Sequence, residues 1–123
     1  MLTGAVLALI AVGAPIMLVN QDQPAPELVL TGHTRAVNSV AITKLDGRMV
    51  IISGSDDGTI SIWDPTTGGI LRTLTGHTGS VNSVATTELD GRMVIISGSD
   101  DGTISIWDPT NGDTLRTLST PIR

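Results

Sequence analysis

A thirteen-residue stretch, Ser53-Gly54-Ser55-Asp56-Asp57-Gly58-Thr59-Ile60-Ser61-Ile62-Trp63-Asp64-Pro65, returns unchanged as Ser97 to Pro109. The second copy lies 44 residues downstream, and when Leu30 to Thr73 is laid over Leu74 to Thr117 only positions 35, 36, 42, 44, 67, 69 and 70 differ. A fixed period of that length is one supersecondary unit used twice, each copy too small to bury its apolar surface alone. The chain must therefore stack like units against one another.

Within the unit, Thr59 to Trp63 alternates Ile60 and Ile62 with Ser61 and Trp63, a period of two that excludes a helix and predicts a strand. Val37 to Thr43 alternates more weakly and carries the small residues Ser39 and Ala41, which suits an inner strand in a crowded place. Met49 to Ser53 is a short continuous apolar run, the pattern of a strand covered on both faces. Between them Leu45-Asp46-Gly47-Arg48 predicts a hairpin, because Asp-Gly accepts the positive φ of a tight turn. Asp56-Asp57-Gly58 turns the chain again, Pro65 to Gly69 is a loop, and Ile70 to Leu74 closes the unit as an outer strand. The second unit repeats the plan, with strands near 81–87, 93–97, 103–107 and 114–118. With no Phe, no Tyr and two Trp, the core must be aliphatic.

Each unit opens on Gly-His (Gly32-His33; Gly76-His77) and closes on Trp-Asp (Trp63-Asp64; Trp107-Asp108), 30 residues apart. This resembles the WD-repeat (G-protein β-like) family of β-propellers, over Leu30 to about Leu118. The resemblance implies an all-β fold of four-stranded antiparallel blades. Two full blades are expected, at 30–73 and 74–118, before a short tail at 119–123. Propellers close with about four to eight blades, so a two-blade stack would leave two apolar faces open. The chain is expected to complete a ring as a homo-oligomer, or to be a piece of a longer propeller.

Residues 1–29 admit two readings. Met1 to Asn20 holds no charged side chain, and about 18 apolar residues is near the minimum for a spanning helix, so a signal peptide or membrane anchor is one. Against it, no Lys or Arg precedes the apolar run, and Pro15 and two Gly (Gly4 and Gly13) interrupt it. The other extends the 44-residue offset backwards, setting Leu7 on Ile51, Leu18 on Ile62 and Val19 on Trp63. This predicts a degenerate partial blade: a strand near 5–11, a turn at 12–15, a strand at 16–19 and an outer strand at 27–30. Gln21 to Pro26 is a proline-punctuated linker. The partial blade and a cytoplasmic location are favoured over a membrane-anchored or secreted one.

The resemblance further implies one buried hydrogen-bonded set per blade: His33, Ser53, Asp57 and Trp63, then His77, Ser97, Asp101 and Trp107. The chemistry is sound, since an indole N–H needs an acceptor, a hydroxyl gives and takes, and imidazole bridges hydroxyl to carboxylate. Whether Ser53 or Ser55 takes part stays open. Arg35, Lys44, Arg72 and Arg116 read as solvated cations or as a partner-binding rim. Positions 35, 36, 67, 69 and 70 lie beside turns, which fits surface tolerance as well as tuned recognition.

Three sharper chemistries are weighed and set aside. Ser, His and Asp together suggest a hydrolase triad, yet the set occurs twice and neither serine sits in a Gly-x-Ser-x-Gly elbow. Asp56-Asp57-Gly58 suggests Ca²⁺, but the other ligands of a calcium loop are missing. Two His and no Cys are too few for structural zinc. No cofactor and no metal are expected. A net charge of −5 with scattered cations argues against nucleic acid, and a membrane partner could act only through residues 1–20. The expectation is a non-catalytic scaffold that binds protein or peptide partners and further copies of itself. The alternatives are a membrane-tethered or secreted sensor propeller, or a fragment of a longer multi-blade protein.

Overall fold

In the computed structural model the described residues are 7–10, 17–20 and 28–119. They form a hairpin, β1 (Leu7–Ile10) and β2 (Met17–Asn20), and two four-stranded antiparallel sheets. The first sheet runs in order β3 (Val37–Leu45), β4 (Arg48–Ser55), β5 (Ile60–Trp63) and β6 (Ile70–Leu74). The second repeats it as β7 (Val81–Leu89), β8 (Arg92–Ser99), β9 (Thr103–Trp107) and β10 (Thr114–Ser119). These are two blades of one design.

Turn chemistry fixes the register. Asp46 and Gly47 both take positive φ (53° and 81°), as do Asp90 and Gly91 (52° and 80°), the two-residue turn that matches strand twist. The ladder therefore reaches the turn itself, pairing Leu45 with Arg48 and Leu89 with Arg92, and both strands outrun their apolar pattern. A bulge between Val37 and Ser39 then sets Val37 on the same face as Val40 and Ile42. Ser39, Ala41, Thr43 and Leu45 take the opposite face.

The core lies between the sheets. Ile52, Ile60, Ile62 and Leu74 of the first blade pack against Val81, Val84, Ile95 and Trp107 of the second, with Ala41 and Leu45 at the margin. Burying one such aliphatic side chain is worth on the order of 1.5–3 kcal/mol. A blade parted from its neighbour forfeits that term several times over. Polar contacts register the junction: Asn38 Nδ2 donates to the Val81 carbonyl (3.0 Å), and the Val84 N–H donates to Ser39 Oγ (3.2 Å). At the outer edge Arg72 donates to the carbonyls of Asn111 (3.0 Å) and Thr110 (2.9 Å).

The N-terminal hairpin departs from the expected alignment by one residue. In the first blade Ile51 stands opposite Trp63, but in the hairpin Leu7 stands opposite Asn20 and Val19 opposite Ala8. The ladder of the hairpin is thus offset by one residue from that of β4 and β5. Residues 28–30 carry no strand, where an outer strand was expected. Such a strand needs the edge of β2 to pair with, and among the described residues β2 pairs only with β1. The turn at 12–15 and the tail beyond 119 lie outside the described residues. Among the described residues no helix is long and apolar enough to cross a membrane.

Candidate functional site

Each blade holds one polar chain. Trp63 Nε1 donates to Ser53 Oγ (2.8 Å), Ser53 Oγ lies 2.6 Å from His33 Nε2, and His33 Nδ1 lies 2.9 Å from Asp57 Oδ2. The network assigns the tautomer: the carboxylate can only accept, so Nδ1 carries the proton and Nε2 takes the serine hydroxyl. The second blade repeats it through Trp107, Ser97, His77 and Asp101 at 2.8, 2.7 and 2.9 Å. Ser55 is placed elsewhere, donating to the Arg35 carbonyl and accepting from the Asp57 N–H.

The turn aspartates are the electrostatic anchors. Burial pushes the Asp57 carboxyl up, but hydrogen bonds from the Thr59 hydroxyl, His33 and the N–H groups of Thr59 and Thr34 prevail and hold it far below the usual range. Asp101 is held down likewise by Thr103, His77 and Thr78. These groups are spent on the fold. The two imidazoles are almost wholly enclosed, each serine oxygen is occupied on two sides, and no buried side-chain polar atom among the described residues lacks a partner. Among the described residues, no group of three or more His, Cys, Asp or Glu side chains stands together to hold a metal ion.

A second anchor escaped sequence reasoning. Asp64 accepts from the Thr66 N–H (2.9 Å) and hydroxyl, and from Arg48 (2.6 Å) across the blade; Asp108 does the same with Thr110 and Arg92. The spacing Asp-x-Thr was the available signal, since a short carboxylate two residues before an N–H closes an Asx turn.

The cations separate by position. Arg35, Lys44 and Arg116 are exposed. Arg72, read as a solvated cation or as part of a partner-binding rim, donates to two backbone carbonyls of the next blade's loop.

Among the described residues both outer blade faces are uncovered. On the first blade an apolar groove of about 390 Å³ is lined by Leu30, Val37, Val40, Ile51 and Trp63. Val40 is 63% exposed there, while its counterpart Val84 is 8% exposed because the first blade covers it. On the far side of the second blade Ile104 is 44% exposed, while its counterpart Ile60 is 0% exposed inside the junction. The stack thus ends in two unlike faces, each the counterpart of a face already buried within the chain.

Stacked four-stranded antiparallel sheets with this internal polar chain define blades of the β-propeller class. The family model for the WD domain, G-beta repeat, matches residues 25–64 and 68–108, and the chain belongs to that family. The family's members are generally non-catalytic scaffolds. WD repeat-containing protein 1-B of Xenopus laevis is 37% identical over 54 residues, covering 43% of this chain and 9% of that protein. The peroxisomal targeting signal 2 receptor of Mus musculus is 42% identical over 48 residues, covering 39% of this chain and 15% of the receptor. The chain thus spans a small part of the curated relatives it matches. Among solved structures, the computationally designed Ika4 protein superposes with a TM-score of 0.61 at 33% identity, over 75% of this chain and 53% of that one.

Proposed function

We propose that the chain is a non-catalytic protein-interaction scaffold that completes a β-propeller by stacking head to tail with further copies of itself. The observation that carries this is the match of the two outer faces. The face of the first blade bears Val37, Val40, Ile51 and Trp63, whose counterparts Val81, Val84, Ile95 and Trp107 are buried against the first blade's opposite face. A second copy can present the same opposite face again, so its docking reuses an interface that already exists once in each chain. The relatives' names include a targeting-signal receptor, which points to recognition in general and to no single partner. Catalysis is disfavoured because the Ser, His and Asp groups are locked inside the blades.

A second reading has its own support. The curated relatives are far longer than the part this chain matches, which favours a fragment of a longer multi-blade protein, whose remaining blades would cover the same two faces. The solution mass by light scattering separates the two. Self-closure predicts a discrete multiple of 12.7 kDa with a β-sheet circular dichroism spectrum. Three or four chains would give six or eight blades, and two would suffice for six if the N-terminal hairpin counts as part of a blade. A monomer or an indefinite aggregate would contradict self-closure and support the longer protein.

A further inference from the structure

The two copies of the unit differ at the loop that meets the preceding blade, where Arg35-Ala36 in the first blade stands as Gly79-Ser80 in the second. Inside the chain this loop faces the Asp56-Asp57-Gly58 turn: a β-carbon at Gly58 would stand 3.5 Å from the Gly79 carbonyl oxygen and 3.6 Å from that of His77. The matching turn of the second blade, Asp100-Asp101-Gly102, is open, with no neighbouring atom within 4 Å of where a Gly102 β-carbon would stand. If a second copy stacks there, it brings Arg35-Ala36. A guanidinium is gained where the chain's own junction has a glycine.

The inner strand changes in the same sense. Lys44 replaces the carboxylate of Glu88 at the end of the strand, and Ile42 replaces Thr86 beside it, so the face that meets another copy is more cationic and more apolar than the face that meets its own chain. The turn it would meet carries Asp100, which is exposed. Two first-blade faces brought together would instead oppose Arg35 to Arg35, so only one docking direction is attractive.

We infer that charge directs the junction between copies, with Arg35 of one copy facing Asp100 of the neighbouring copy. This rests on the self-stacking reading and specifies the residues that give it direction. Charged pairs at the margin of an interface act through screened Coulomb attraction, so they govern encounter and register more than total affinity.

The test is sedimentation analysis of the full chain carrying Arg35→Glu, Asp100→Arg, or both. Both positions are exposed, but Asp100 accepts from Asn82 (2.6 Å) and Arg35 lies beside Asp56 of its own blade, so circular dichroism checks that each variant stays folded. Each single reversal is expected to weaken self-association about tenfold at about 50 mM salt, the double reversal to restore it to within about threefold, and the differences to fade near 500 mM. Wild-type chains that assemble while the single reversals assemble equally well, or a double variant no better than the singles, would overturn the charge-directed junction and leave self-stacking standing. A wild-type chain that stays monomeric would overturn both.

Discussion

Gly54 lies directly against Val81 across the blade junction: a β-carbon at Gly54 would stand 2.6 Å from Val81 Cγ1 and 3.1 Å from Val84 Cγ1. Gly98, its counterpart in the second blade, would place a β-carbon near Ser83 Oγ (3.2 Å) and no atom of another blade. The same residue is thus an obligatory close contact at one end of the stack and a vacant one at the other. Gly54→Ala is predicted to destabilise the chain by about 1–3 kcal/mol through overpacking, read as a lower urea midpoint. An unchanged midpoint would contradict the tight junction.

The polar chains are predicted to be structural. His77→Ala leaves the Ser97 hydroxyl and the Asp101 carboxylate each short of a buried partner, at a cost of about 1–3 kcal/mol. His33→Ala should behave alike. Urea titrations in which neither substitution moves the midpoint would show that these networks do not hold the blades.

Stability is predicted to fall in acid. The folded carboxyls of Asp57 and Asp101 are depressed, so the unfolded chain takes up protons first. Their contribution is fully present above about pH 5, starts to be lost near about 3.9, the value of an unperturbed aspartate, and goes on falling until pH reaches the depressed values of the folded chain. A series of urea midpoints between about pH 7 and 3 checks the sign, and a midpoint that rises on acidification would contradict it.

Arg72 and Arg116 occupy equivalent places with unequal duties. Arg72→Ala removes two hydrogen bonds between blades and is predicted to cost about 0.5–1.5 kcal/mol. Arg116→Ala should leave the stability of the single chain unchanged and weaken self-association, because its counterpart loop belongs to another copy. Equal effects of both substitutions on dilute chains would contradict this division.

Most of the blade was legible in the sequence because its signals are local. Asp46-Gly47 announces its turn, Ile60-Ser61-Ile62-Trp63 announces its strand, and Gly-His with Trp-Asp carries the family resemblance that implied the polar chain. What was hidden depends on partners that leave no sequence mark. Arg72 bonds backbone carbonyls, which every residue has, so it looked like one more surface cation. The one-residue shift of the N-terminal hairpin escaped because apolar residues coincide at either offset. Val40 and Val84 are the same residue in the same motif, and only their place in the stack exposes one and buries the other.

The most direct test of head-to-tail stacking is the sedimentation mass of Gly98→Ala beside wild type. The extra methyl should leave the circular dichroism spectrum intact while blocking the approach of Val37 and Val40 from another copy, so the account predicts a folded single chain where wild type gives a discrete multiple. A Gly98→Ala protein that assembles as wild type does would contradict it.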